Sequence, residues 1–378
     1  MAMTIHLCLV SAQATPNLTP LMDPATRPDE VILAVSADMA QRADWLEQVI
    51  RPRGIRLQRW RIDNPFDIQA TREQILNQLS EHPRHDRFIL NATGGTKPMS
   101  IAAYEIFRDF ALPIFYVHPE LDRLIWLHPK EQPAIDLADR LKLEDFLAAH
   151  GAGLQGRAQR QGLNPQQRDI CHYLIEEIDR FSRPLRSLNW LANSAENGLR
   201  SKPLTELGQL DADLELLIDR FAANGFVQLK DQRLVFASED DRFFVNGGWL
   251  ELYVFDLCAQ LRQQGPMQDL ARNIQVRRHQ RGQPVRNEID VAALVENRLF
   301  LLECKAKKWQ GQGPGADALY RLDSLKDLLG GLNARAMLVS YQPLPDHDRQ
   351  RGADLRIDLA AGRDLQRLKE KLKSWFWP

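Results

Sequence analysis

The apolar positions of this 378-residue chain fall into three blocks. From Thr4 to about Ala149, short apolar runs at Ile5 to Val10, Val31 to Val35, Ile55 to Trp60, Arg87 to Leu90 and Pro113 to Val117 alternate with longer periodic stretches near Ala40 to Ile50, Thr71 to Ser80 and Met99 to Phe110. Short runs bounded by turn residues predict buried strands, and the periodic stretches predict amphipathic helices. Their alternation predicts a parallel sheet with helices on both faces, a Rossmann-like α/β domain over residues 1–150. The segment Gly151 to Gly162, GAGLQGRAQRQG, carries no such rhythm and predicts a flexible linker.

In the second block, residues 163–240, helical patterns from Pro165 end near Phe236 in two apolar runs, GFVQL and RLVFA, around Lys230 and Asp231. Helices followed by a short hairpin resemble a winged helix-turn-helix, a module that binds DNA or serves as a dimerising spacer. The third block, residues 241–378, opens with GGWLELYVFDLCAQL from Gly247 to Leu261, a helical pattern apolar nearly all round and hence buried. NEIDVAALVENRLFLLECKAKKW, from Asn287 to Trp309, then reads as two strands joined by a tight turn. A helix over roughly Ala316 to Leu329 and a strand over Ala336 to Ser340 follow, so the chain is multidomain α/β. With the linker and the middle block as the covalent connection between the ends, these two segments are expected to carry any coupling.

Charged residues inside the apolar third block change the picture. Alternation puts Glu303 and Lys305 on one face of their strand and Cys304 on the other. If the turn is Glu296 and Asn297, antiparallel register sets Asp290 opposite Glu303. Two facing carboxylates are a separation that like charges avoid unless a cation lies between them. Glu251, in the buried helix, adds a third: a carboxylate buried without a partner costs several kcal/mol, on the order of magnitude expected for desolvated charge, so it is paired, protonated or metal-bound. Glu288 shares the face of Asp290 and is either an auxiliary ligand or a solvated charge. Phosphodiester cleavage needs an acidified water and stabilised oxyanions, which carboxylate-held divalent ions supply. Magnesium or manganese suits oxygen ligands, and a lysine two residues beyond a ligand can contact the attacking water or the scissile phosphate. The ordinary alternatives are a surface hairpin and a partly exposed glutamate favoured by its helix dipole.

A formal net charge of −1 gives no global pull toward nucleic acid, so the distribution decides. Arg272, Arg277, Arg278, Arg281 and Arg286 run into the hairpin, and Lys307 and Lys308 follow it. Basic residues around an acidic metal site are what a phosphate backbone needs, although a solvated basic loop has the same composition. Cys8, Cys171, Cys258 and Cys304 are scattered without a CxxC, which argues against structural zinc and a disulfide framework. The N-terminal run IHLCLV is too short for a signal peptide and lacks a basic start, so a cytoplasmic protein with no membrane span is expected.

The first block holds a second chemical feature, RFILNATGGTKPMSIAAYEIF from Arg87 to Phe107. A strand ends at Asn91, a glycine-rich turn follows, and a helix starts near Pro98. Turn N–H groups backed by a helix dipole make an anion site, to which Lys97 adds charge and Thr93 and Thr96 add hydroxyls beside Gly94 and Gly95. Neither a Walker A loop nor a GxGxxG fingerprint is present. After the first strand, where open α/β sheets bind ligands, Ser11, Gln13, Thr15 and Asn17 form a polar connection able to reach bases or ribose.

The order helix with Glu251, strand with Asp290, strand with Glu303 and Lys305 resembles the PD-(D/E)xK restriction-endonuclease-like fold, whose motif positions these four residues match. The pattern from Asn91 to Met99 resembles the CARF domain of type III CRISPR accessory effectors, and the whole chain resembles their CARF–nuclease members, the DUF1887 group. That resemblance implies a homodimer whose paired CARF domains bind one cyclic oligoadenylate, cyclic tetra-adenylate first among the candidates, across the two-fold axis. It further implies a manganese- or magnesium-dependent endonuclease that degrades DNA or RNA with little sequence preference in antiviral defence. A ligand-controlled winged-helix transcription regulator with an inert C-terminal domain is the alternative; the intact Asp290, Glu303 and Lys305 set argues against it.

Overall fold

The computed structural model of the chain describes residues 3–118, 120–208, 211–280, 283–306 and 314–377. The apolar runs of the first block form β1 (Ile5–Leu9), β2 (Glu30–Ser36), β3 (Arg56–Ile62), β4 (Phe88–Asn91) and β5 (Ile114–His118), all mutually parallel. The crossovers are α1 (Thr15–Met22), α2 (Ala40–Ile50), α3 (Ile68–Glu81) and α4 (Lys97–Asp109). The strand order β3-β2-β1-β4-β5 reverses at β1, which places the loops after β1 and β4 on either side of the crevice where open sheets take ligands. Two strands that the hydrophobic pattern missed, β6 (Arg123–His128) and β7 (Ile135–Asp136), extend this sheet antiparallel, so it is mixed rather than all-parallel. The connection from β5 to β6 is far shorter than the crossover that a parallel neighbour requires, and Asp122 turns it with a φ of 48°.

α5 (Leu143–Ala149) and β8 (Ala152–Leu154) end this part of the chain. The middle block consists of α6 (Pro165–Glu176), α7 (Ile178–Phe181), α8 (Pro184–Ser194), β9 (Arg200–Pro203), α9 (Ala212–Ala223), β10 (Gln228–Lys230) and β11 (Arg233–Val235). Helix, strand, helix and hairpin, with strand order β10-β11-β9, make the winged-helix succession expected. Asp231 and Gln232 form the hairpin turn at φ 50° and 58°.

The third block runs through α10 (Glu239–Phe243), α11 (Trp249–Arg262), β12 (Met267–Gln280), β13 (Gln283–Val295), β14 (Arg298–Lys305), α12 (Pro314–Gly330), β15 (Arg335–Ser340), α13 (Asp346–Asp354), β16 (Asp358–Ala361) and α14 (Leu368–Phe376). Its sheet has the order β16-β15-β14-β13-β12-β8. The supposed linker is therefore partly a strand: β8 pairs with the edge of β12, and Gln159 bridges Arg272 further along. A polar segment can do this because an open sheet edge offers backbone partners whatever the side chains.

The two faces of the sheet feed different cores. Val291, Ala293, Phe300 and Leu302 pack with α11, α14 and the helices of the middle block. Ala292, Leu294, Leu299 and Leu301 pack with Leu319, Leu322, Leu325 and Leu329 of α12 and, in the same cluster, with Cys8, Val10, Leu18 and Leu147 of the N-terminal domain. The N-terminal and C-terminal domains thus touch directly, so the linker and middle block, though the covalent connection, are not the only route by which coupling can pass. All four cysteines are free and buried. Among the described residues no helix is long and apolar enough to cross a membrane.

Candidate active site and sensor loop

Glu296 and Asn297, at φ 47° and 54°, form the two-residue turn between β13 and β14, a conformation that suits the twist of a hairpin. The turn fixes the ladder from Val295↔Arg298 to Val291↔Leu302; the regular pairing ends there, one step short of the expected Asp290–Glu303 pair, yet Asp290 stays close enough to Glu303 to feel its charge. Both carboxylates are buried, Asp290 being 6% and Glu303 2% exposed. Glu303 and Lys305 stand on the sheet face covered by α12, with Leu299 and Leu301. Lys305 Nζ ion-pairs with Glu303 Oε1. Asp290 Oδ2 accepts a 2.7 Å hydrogen bond from the Cys304 backbone N–H, so the main chain of the neighbouring strand holds it.

Glu251 lies in the first turn of α11, the helix on the opposite face, after a kink where Gly247 takes a φ of 97°. Burial, followed by repulsion from Asp290 and Glu288, pushes the Glu251 carboxyl well above the ordinary range. Burial and then Glu303 do the same to Asp290. For Lys305 burial opposes the charge, but Glu303 and Asp290 outweigh it and hold the ammonium above the usual lysine value. Carboxylates confined without enough counter-charge are what a cation site needs. Glu288 is exposed and remains a solvated neighbour.

The donor set, oxygen only, suits magnesium or manganese. Yet among the described residues no three His, Cys, Asp or Glu side chains converge as a metal-holding group. Glu251 feels Asp290, Glu288, Lys305 and Glu303, but the Glu303 carboxylate is turned to Lys305 and to a residue that no sequence motif singles out, Arg321 of α12. No local motif distinguishes Arg321 from the chain's other arginines; only the packing of α12 over the sheet brings it to Glu303.

Of the arginines expected to run into the hairpin, Arg277 and Arg286 are exposed register partners on β12 and β13. Arg272 and Arg278 are partly buried and engaged, the first with Gln161 O and the second with Asn287 Oδ1. Arg281, Lys307 and Lys308 lie outside the described residues.

In the N-terminal domain the two polar segments meet, but not as two open loops. Thr15 and Asn17, expected in a connection, form the first turn of α1, where Pro16 fits. Asn17 and Asn91 are almost fully buried. Asn91 Nδ2 donates to Asn17 Oδ1 and to Pro16 O, while Asn91 Oδ1 accepts from the Thr93 N–H and hydroxyl. Asn17 Nδ2 donates to Leu9 O, and Thr93 Oγ1 accepts from Val117 N. These three side chains brace the crevice floor. Gly94 is needed for close approach, since a Cβ there would stand 2.0 Å from Leu9 O, and Gly95 takes a φ of 74°. Thr96 caps α4 by accepting from Met99 N. What remains presented outward is exposed Lys97 and the partly exposed Ser11, Gln13 and Thr15.

Comparison with known proteins agrees with this division. Residues 5–146 match the family model described as the Card1 CARF domain, and residues 238–377 match the Card1-like endonuclease domain. Protein VC1899 from Vibrio cholerae is 31% identical, the match covering 100% of this chain and 98% of that one at a TM-score of 0.91. Can2 from Sulfobacillus thermosulfidooxidans, solved in complex with cyclic tetra-adenylate, is 26% identical over 99% of this chain and 100% of that one, at a TM-score of 0.84. A type III CRISPR defence DNA nuclease activated by cyclic oligoadenylate shares the fold over 91% of this chain and 47% of its own, with 20% identity and a TM-score of 0.57. No curated protein sequence matches.

Proposed function

Because the chain belongs to the Card1-like family, which joins a CARF domain to an endonuclease domain, we propose that it is a divalent-metal-dependent nuclease switched on by a cyclic oligoadenylate. The ring is cyclic tetra-adenylate, the working unit a homodimer with one ring across its two-fold axis, and the role antiviral defence in a CRISPR system. The observation that carries the reading is the closeness of buried Asp290 and Glu303 on the two strands of one hairpin, with Lys305 ion-paired to Glu303 and Glu251 near enough to feel all three. The full-length likeness to Can2, which binds cyclic tetra-adenylate, supports the choice of ring.

Glu251, Asp290 and Glu303 are the residues that would hold magnesium or manganese, which when bound acidifies water and offsets phosphoryl charge. Lys305 orients the attacking water or neutralises the scissile phosphate from the same strand face. Arg277 and Arg286 offer charge to the nucleic-acid backbone, DNA or RNA, without reading bases. At the sensor, Lys97 and the turn N–H groups from Gly94 to Thr96 meet ring phosphates, while Ser11, Gln13 and Thr15 face bases or ribose. Incubating purified protein with plasmid DNA and single-stranded RNA, with and without manganese and cyclic tetra-adenylate, tests the reading. Cleavage only when both are present supports it, and ring-independent cleavage contradicts it.

A further inference from the structure

Glu303 meets two cations, and only one belongs to its own strand. Lys305 follows it by two residues on β14, whereas Arg321 arrives from α12 and pairs with the same Oε1 atom. The Arg321 side chain is 49% exposed and that of Glu303 3%, so the guanidinium reaches from the solvent edge to a buried carboxylate. From Arg321 the helix continues to Gly330, a rise of roughly 14 Å at the usual spacing per residue. The chain then turns at Gly331, whose φ is 58°. Gly331 lies against the sensor loop: a Cβ built on it would stand 2.6 Å from both the Nε2 and Oε1 atoms of Gln13. The same helix buries Leu319, Leu322, Leu325 and Leu329 in the core that holds Cys8, Val10 and Ala14, the strand and loop leading to Gln13 and α1. One helix therefore has a ligand-loop contact at its C-terminal end and the candidate metal ligand near its middle.

We propose that Arg321 is a positioning residue: in the resting protein it neutralises Glu303 and withholds that carboxylate from a divalent cation, and α12 releases it when the loop around Gln13 rearranges on a ligand. The proposal rests on the reading of the nuclease and sensor sites given above. A guanidinium and a divalent ion compete for the same carboxylate lone pairs. Arg321, half in solvent, can withdraw without leaving a buried cation unpaired. Lys305 stays with Glu303 through their shared strand. A ligand shifts such an equilibrium only if it binds the released arrangement more tightly, and the Gln13–Gly331 contact supplies a place where that difference arises.

The test measures metal binding without substrate. Manganese is titrated calorimetrically into the full-length protein and into the Arg321→Gln and Arg321→Lys variants, each with and without cyclic tetra-adenylate. The native protein should bind manganese about tenfold more tightly with the ring than without, the scale of one charge-assisted pair given up. Arg321→Gln should bind tightly in both conditions, and Arg321→Lys should follow the native pattern. Equal affinity of native and Arg321→Gln protein without the ring, or a ring effect that persists in Arg321→Gln, overturns the proposal while leaving the nuclease reading intact. No manganese binding to native protein under any condition overturns both.

Discussion

Asn297 Nδ2 donates a 2.7 Å hydrogen bond to Asp122 Oδ2, tying the β13–β14 turn of the C-terminal domain to the β5–β6 turn of the N-terminal one. Gln268 braces the same point: its Nε2 donates to Asn297 Oδ1 at 2.7 Å and its Oε1 accepts from Asn297 N at 2.9 Å. Both bonded side chains, Asp122 and Asn297, are buried. Burial, with Asp139, Asp136 and Glu296 nearby, pushes the Asp122 carboxyl up to about 7 despite the Asn297 bond.

That interface should be pH-dependent. The Asp122 pKa rises from 3.8 unfolded to about 7 folded, so from pH 4 to 7 the unfolded chain ionises while the folded one keeps its proton, and stability falls as pH rises through that window. Asp122→Asn removes the ionisation and retains an acceptor for Asn297. It should stabilise the protein by on the order of 4 kcal/mol at pH 8 and by less, about 1–2 kcal/mol, at pH 5. Denaturant unfolding at the two pH values measures this; an equal effect at both would refute the assignment.

Glu303→Ala or Asp290→Ala should lower cleavage by about 10²–10³-fold, as loss of a transition-state charge stabiliser does, with ring affinity unchanged. Lys305→Ala should be nearly as damaging and leave manganese binding intact. Single-turnover cleavage, together with calorimetry of ring and metal, separates these effects. Full activity in either carboxylate variant would remove that residue from the site.

The crevice floor and its rim should respond differently. Asn91→Ala leaves the Asn17 and Thr93 side chains without their buried partner and should cost about 1–3 kcal/mol of stability, whereas exposed Lys97→Ala should weaken ring binding at unchanged stability. Gly94→Ala sets a methyl against Leu9 O and should destabilise the N-terminal domain itself. Thermal unfolding beside ring titration distinguishes them; an Asn91→Ala protein as stable as native would contradict the bracing role.

The β13–β14 hairpin was legible because period-two alternation and a two-residue turn leave few registers, so the Glu296–Asn297 turn and the ladder down to Val291↔Leu302 follow from the spacing. The parallel core strands were legible for a similar reason, their runs being apolar throughout. Besides the antiparallel strands β6 and β7, three features were not. Thr15 to Asn17 read as loop because α1 begins on polar residues and a proline, whose helical placement depends on the buried bonds to Asn91. The linker hid β8 because an edge strand draws on backbone partners rather than on a side-chain pattern. Arg321 was invisible because its role is set by the tertiary packing of α12, not by neighbours in sequence.

The central claim is that ring binding in the N-terminal domain controls metal-dependent cleavage in the C-terminal one. The most direct measurement is the initial cleavage rate at fixed manganese as cyclic tetra-adenylate is titrated in. A rate that rises at least about a hundredfold and saturates near one ring per two chains is expected, since a ligand shifts a two-state equilibrium by its differential affinity for the active state. A rate independent of ring concentration, or saturation only at one ring per chain, would contradict the claim.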